Sequence, residues 1–344
     1  MAGVAADTAG GAMLSPAAAA GFDSAWSAFR TRFLGPEGRI IDTGNARISH
    51  SEGQGWGLLM AVAARDRRSF DLIWNFTRTA LRRPGDRLHA WKWDPAVRPH
   101  VADPNNATDG DLYIAWGLAR AAAMWGDPAL AAEARAIARD ILRVTLRSVA
   151  GWQVLLPGAA GFETPDSVVL NPSYAVIPAW RALHAVAPDP AWARLESDQL
   201  AFLRRARFGV HDLPPDWVQV ARADGAVSLP AGWPPRFSFD AVRVPLLLAW
   251  GGHASHEAAR AAAAFWAQPH PPYVPAWVDL RDGSLASFGA SPGVIAVHRL
   301  LLGVQLGQRR MAPIPLAAPG EDYYSSALRL LVMLAAQDLA ISTY

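Results

Sequence analysis

Four short segments place acids and aromatics where chemistry could use them. In "SEGQGWG" (51–57), Glu52 opens an apolar helical pattern, and glycines follow at 53, 55 and 57. Glycine removes side-chain bulk, so a ligand or another backbone can approach that carboxyl closely. In "NNATDGDLYIAWG" (105–117), Asp109 and Asp111 flank Gly110 at a second helix start, beside Asn105 and Asn106. Thr108 or one acid suffices to cap a helix. The surplus of polar groups suits a hydroxyl-rich ligand. In "RFSFDAVRVPLLLAW" (236–250), Asp240 opens a third apolar helix, and Arg243 follows on the same face, where it would keep the acid ionised. In "LHAWKWDP" (88–95), Trp91 and Trp93 straddle Lys92, the single lysine of the chain. At alternate positions of an extended segment both rings face one side. Flat aromatic faces are surfaces on which sugar rings stack.

Each segment also has a plainer reading. Glu52 could be an ordinary first-turn glutamate, Asp109 a cap, Asp240 and Arg243 a surface ion pair, and the two tryptophans loop pins. Other chemistries leave no trace. There is no HExxH, P-loop or GxSxG, and the nine histidines are scattered without metal-ligand spacing. The glycines after Glu52 lack the spacing of a dinucleotide fingerprint, and no strand precedes them. The absence of cysteine excludes disulfides, thiolate nucleophiles and cysteine-held metals. No metal and no cofactor is expected. Basic and acidic residues nearly balance, 32 against 30. No basic run argues for a nucleic-acid partner.

The elements that must position these residues read as helices. Apolar residues recur three and four apart in 17–34, 57–66, 69–81, 111–126 and 128–149. Six further segments follow downstream, giving about eleven helices joined by Gly/Pro-rich loops. No single linker divides the chain, so residues 17–344 are expected to form one domain after a flexible leader over 1–16. Successive helix pairs closing on themselves give an all-α toroid. Short extended pieces are expected at 151–158 and 217–230, the second forming a β-hairpin insertion that turns at Asp224-Gly225. No run of about 18 apolar residues predicts a membrane span. The N-terminal residues lack the charged and apolar regions of a signal peptide.

In order along the chain, "SEGQGWG", "FDLIWNFTRTAL", "AWKWDP", "NNATDGDLYIAWGLARAAAMWG", "NPSYA" and "FDAVRVPLLLAW" resemble glycoside hydrolase family 8. The resemblance runs from about residue 20 to the C-terminus. It is strongest toward endoglucanases that accompany bacterial cellulose synthesis. It implies an (α/α)6 barrel and hydrolysis of β-1,4-glucan with inversion at the anomeric carbon. By resemblance, Glu52 is the general acid, Asp240 the general base, and Asp109 the residue that holds the distorted central sugar. Tyr174 in "NPSYA" resembles the tyrosine that helps hold the attacking water, and Trp91 an aromatic sugar platform. Tyr323 and Tyr324 in "EDYYSSAL" resemble tyrosines of the cleft. Trp93, Asn106, Asp111 and Arg243 complete the expected substrate-binding set. Phe239 departs from the pattern, which places tyrosine before the base. Trp56 and its neighbours are expected to desolvate Glu52. The resemblance also implies a periplasmic or secreted monomer acting on cellulose or cello-oligosaccharides, with the cellulose synthase export complex as a partner. A xylanase, chitosanase or mixed-linkage glucanase of the same fold is the alternative, as is a non-catalytic glucan-binding component.

Overall fold

The computed structural model describes residues 16–270, 272–314 and 320–343. Apart from Pro16, the leader expected over 1–16 lies outside them. Eleven α-helices form among these residues: α1 (Pro16–Phe33), α2 (Ser51–Ala63), α3 (Arg67–Phe76), α4 (Thr108–Trp125), α5 (Pro128–Thr145), α6 (Ile177–Val186), α7 (Pro190–Arg205), α8 (Arg243–Trp250), α9 (Glu257–Ala267), α10 (Pro292–Gln305) and α11 (Tyr323–Asp338). Local chemistry starts and stops them. Asp127, Asp189 and Ser291 each accept a first-turn N–H ahead of a proline at the start of α5, α7 and α10. Gly126, at a φ of +64°, ends α4.

Helices α2, α8 and α11 are apolar on nearly all sides and buried along most of their length. Helix α2 packs on α4, α4 on α6, α6 on α8, α8 on α10 and α11, and α11 back on α2. The sequence of contacts closes a ring. Helices α1, α3, α5, α7 and α9 lie against α11, α2, α4, α6 and α8 and turn polar residues outward. This is the all-α toroid that the periodicity predicts.

Small antiparallel sheets decorate the ring. β1 (Ser49–His50) pairs with β2 (Lys92–Trp93), and β3 (Leu146–Val149) with β4 (Trp152–Leu155). β5 (Ser167–Leu170), β6 (Val218–Ala221) and β7 (Val227–Ser228) form one sheet, and β8 (Arg236–Phe237) pairs with β9 (Val278–Asp279). The β6–β7 hairpin turns where expected. Gly225 sits at a φ of +70°, and Asp224 accepts the Ala226 N–H. Two features differ from the sequence reading. Helix α5 stops at Thr145 instead of running to 149, because Leu146–Val149 is held extended by β4 across a tight turn. Ala150 and Gly151 both take positive φ there, the geometry of a two-residue hairpin loop. Strand β5, four residues of "SVVL", is too short to show a period of its own.

Candidate active site

Glu52 lies in the first turn of α2. The ring of His50 caps that helix, its Nδ1 accepting the Gly53 N–H at 3.0 Å. The β1–β2 pairing and the Ser51 N–H on the Trp91 carbonyl fix the entry. The glycines after Glu52 turn toward protein. A Cβ on Gly55 would stand 2.5 Å from Cβ of Tyr113 and 2.8 Å from N of Ile114. One on Gly110 of α4 would stand 2.8 Å from N of Glu52, and one on Gly117 would stand 2.9 Å from Cβ of Leu58. Gly53 faces the Tyr323 hydroxyl and the His50 ring, and Gly57 faces the Ile40 and Ile73 side chains, so Gly55 is the one of the three that admits α4. At Gly55, Gly110 and Gly117, α2 and α4 approach so closely that each glycine packs on a Cβ or backbone atom of the other helix, and that contact sets Asp109, next to Gly110, beside Glu52.

Asp109 does not cap α4. The cap position is Ala107, and Thr108 is drawn away by its hydroxyl bond to the Leu156 carbonyl, 2.6 Å. Oδ1 of Asp109 accepts the N–H of Gly110, and Oδ2 faces the site. Asp240 lies just outside its helix, in a turn that precedes Arg243 at the start of α8. Arg243 joins the acids. Its Nη1 pairs with Oε1 of Glu52 and lies 3.5 Å from Oδ2 of Asp109. Its Nη2 pairs with Oδ1 of Asp240 at 2.5 Å and donates to Oγ of Ser173 at 2.9 Å. One guanidinium, only 3% exposed, therefore faces three carboxyls. Asp109 forms the floor at 2% exposure, whereas the side chains of Glu52 and Asp240 are 17% and 32% exposed. Desolvation by Trp56 was the expected influence on Glu52. What meets its carboxyl is Arg243, stacked 5.7 Å over the buried Trp56 ring.

Burial pushes the Asp109 carboxyl up to about 7, and the charge of Asp111 adds to the rise. The Gly110 N–H, His50 and the Tyr174 hydroxyl oppose it. Asp240 is also raised well above the carboxylate range, by desolvation first and then by the charges of Asp216 and Asp109. Its open third tempers the desolvation. Two like charges against one shared guanidinium leave the direction upward. Tyr174, beside both Asp109 and Asp240, is held firmly as the phenol by burial and by those charges.

The remaining expected residues divide. Trp91 is partly exposed, and its Nε1 donates to Asp103 at 2.8 Å. Trp93 is partly exposed too; where Trp91 carries the Lys92 ammonium 5.1 Å from its ring, Trp93 is engaged by more of the protein. The Arg39 guanidinium sits 4.8 Å from its ring, the His100 ring stacks at 4.1 Å, and Phe76 meets it edge-on. It pins the loop to the protein. Asp111 and Asn106 do not reach a sugar. Asp111 is fully buried and receives the N–H and ring of His89 and the amide of Asn106. Asn106, 2% exposed, accepts from Arg83 and the Ala159 N–H. Both brace loops from within. Tyr323 is buried against Phe29, Phe33, His50 and Trp56, behind the entry to α2. Tyr324 is partly exposed, donates its hydroxyl to the Phe239 carbonyl, and meets the half-exposed Phe239 ring edge-on. Sequence reasoning passed over Ser173, His50 and Asp216. Ser173 lay inside the quoted "NPSYA", and His50 stands just ahead of "SEGQGWG". Asp216, in "LPPDWVQV", carries no motif at all.

The sequence matches the family described as glycosyl hydrolases family 8 over residues 6–338. A probable endoglucanase of Novacetimonas hansenii is 41% identical over 310 residues, 90% of this chain and 89% of that protein. An endoglucanase of Cellulomonas uda is 42% identical over 308 residues, 89% of this chain and 84% of that protein. The solved structure of an endo-β-1,4-glucanase from Acetobacter xylinum superposes with a TM-score of 0.83 at 39% identity, covering 92% of this chain and 98% of that one. A Klebsiella pneumoniae endoglucanase gives 0.84 at 40% identity, covering 92% and 99%. With toroid and sequence both shared over nearly their whole length, this chain belongs to glycosyl hydrolase family 8.

Proposed function

We propose that the chain is an endo-β-1,4-glucanase that cleaves with inversion, with Glu52 as general acid, Asp240 as general base and Asp109 holding the central sugar. The observation that carries this reading is Arg243, one buried guanidinium shared by three carboxyls. A single positive charge does not neutralise three negative ones in a desolvated site, so protons are shared among the acids. Glycoside hydrolysis needs such a division. A protonated carboxyl donates to the glycosidic oxygen, while an ionised one takes a proton from the attacking water. Glu52 and Asp240 have the accessible side chains, which suits them to these roles. Tyr174, bonded to Asp109 and close to Asp240, suits the orientation of that water. Trp91, Phe239 and Tyr324 offer aromatic surface for sugar rings.

β-1,4-Glucan as substrate is supported by relatives named endoglucanase at about 40% identity. Reducing-sugar release from carboxymethyl cellulose, beside xylan, chitosan and mixed-linkage glucan, tests it. Release from xylan or chitosan alone would replace the substrate. Binding without release from any of them would make the chain a glucan-binding component. The same reading has a monomer in the periplasm or medium, trimming glucan beside the cellulose synthase export complex. A cysteine-free chain is compatible with an oxidising compartment as with a reducing one, and no described helix is long and apolar enough to cross a membrane. Fractionation and co-purification with the synthase test that part.

A further inference from the structure

Asp216 lies just ahead of β6, and the chemistry described so far does not use it. Its carboxyl is nearly enclosed, 7% exposed. Oδ1 accepts the backbone N–H of Ser238 at 3.0 Å and of Ala241 at 2.8 Å. Oδ2 accepts the Ser238 hydroxyl, and the N–H of Asp240 is directed at the same group. The N–H of Asp216 donates to the Arg236 carbonyl at 2.7 Å. The turn that carries Asp240 is thus wound around one carboxylate, which touches residues on both sides of Asp240.

We propose that Asp216 is a positioning residue for the reaction: it aims Asp240 by holding the 238–241 turn, and it supplies the negative charge against which Asp240 takes up its proton. The inference rests on the reading of Asp240 as the base. Burial raises the Asp216 carboxyl, and the four donors that converge on it oppose that rise and stabilise its charge. Asp240 has the Arg243 guanidinium, which it shares with Glu52 and Asp109. Of two neighbouring carboxylates, the one with fewer dedicated donors takes the proton more readily. A base works best when its proton affinity lies near the working pH. The other groups facing Asp240 are Asp109 from α4, Tyr174 from the 172–174 turn, Tyr324 from α11 and Arg243 from α8. Among them Tyr324 also feels the charge of Asp216, and burial keeps it the phenol with or without that charge.

The experiment uses the full chain with Asp216→Asn, Asp216→Ala and Asp240→Ala, and reads kcat, KM, the pH profile and melting on a soluble cello-oligosaccharide. Asp216→Asn keeps an acceptor for the turn but loses the charge. The acid limb of its kcat/KM profile is expected to move about one unit or more to lower pH, with kcat reduced and KM little changed. Asp216→Ala also frees the turn, and kcat is expected to fall about 10²-fold. If Asp216→Asn turns over and titrates as the wild type does, with or without a lower melting temperature, Asp216 is structural and the inference is overturned. In that case an inactive Asp240→Ala leaves the base assignment standing. Wild-type turnover by Asp240→Ala would overturn the base assignment and this inference together.

Discussion

Asp109 gives the sharpest prediction about stability. Burial pushes its carboxyl up to about 7, from an ordinary value of 3.8. The native protein therefore keeps a proton that the unfolded chain releases between about pH 4 and pH 7. Stability from this group falls as pH rises through that window, and the whole cost is present above it. At about 1.4 kcal/mol per unit, the cost is roughly 4 kcal/mol at pH 8 and roughly 1–2 kcal/mol at pH 5. Asp109→Asn has no charge at either pH. It keeps the oxygen that accepts the Gly110 N–H and fits the same volume. Urea unfolding of both proteins at the two pH values reads the difference. The substitution is expected to improve stability by roughly 2–3 kcal/mol more at pH 8 than at pH 5, several degrees in melting temperature, while activity is lost. Asp111 and Asp216 are also raised by burial, but they are present in both proteins and largely cancel; Asp240, raised in part by the Asp109 charge, moves down in the variant and adds to the effect with the same sign. An equal effect at both pH values would refute the argument. So would a loss of stability that deepens at pH 8, because it would mean that Arg243 keeps Asp109 ionised and depends on it.

Other substitutions test the assembly of the site. Glu52→Gln should cost about 10²–10⁴-fold in turnover while glucan still binds, read by hydrolysis and by affinity electrophoresis. Gly55→Ala drives a methyl into Tyr113 and the Ile114 backbone. It should cost about 1–3 kcal/mol of stability and lower kcat, since α2 and α4 carry the acids that the contact aligns. Trp93→Ala should lose stability, by less than the roughly 3–5 kcal/mol of a fully buried ring, because its ring is packed on His100, Phe76 and Arg39 but partly exposed. Trp91→Ala should raise KM with little change in melting. A reversal of those two outcomes would exchange the roles of the tryptophans.

Much of the ring was legible because helical periodicity is repeated eleven times and the start and stop residues sit where the pattern changes. The acids were legible for the same reason. Glu52 and Asp109 stand at helix starts in segments with more polar groups or glycines than a helix entry needs. What those groups do was less legible. A glycine shows that something comes close to it but not what, and here the neighbours are α4 at Gly55 and buried side chains at Gly53 and Gly57. Asp111 and Asn106 have the same polarity as binding residues, and only burial shows that they serve His89 and Arg83. The alternation of Trp91 and Trp93 was visible, but the partners that cover Trp93 come from positions 39, 76 and 100. Asp216 illustrates the limit most clearly. It lies 22 residues or more from the turn it holds, and no local pattern marks a contact at that distance.

The central claim is that Glu52 and Asp240 work as acid and base around a water molecule, not as acid and nucleophile. Following cellopentaose hydrolysis by proton NMR, before mutarotation scrambles the products, tests it most directly. A first-formed α-anomer at the new reducing end is the predicted result. An initial β-anomer would mean that a carboxylate attacks the sugar itself, and would contradict the account.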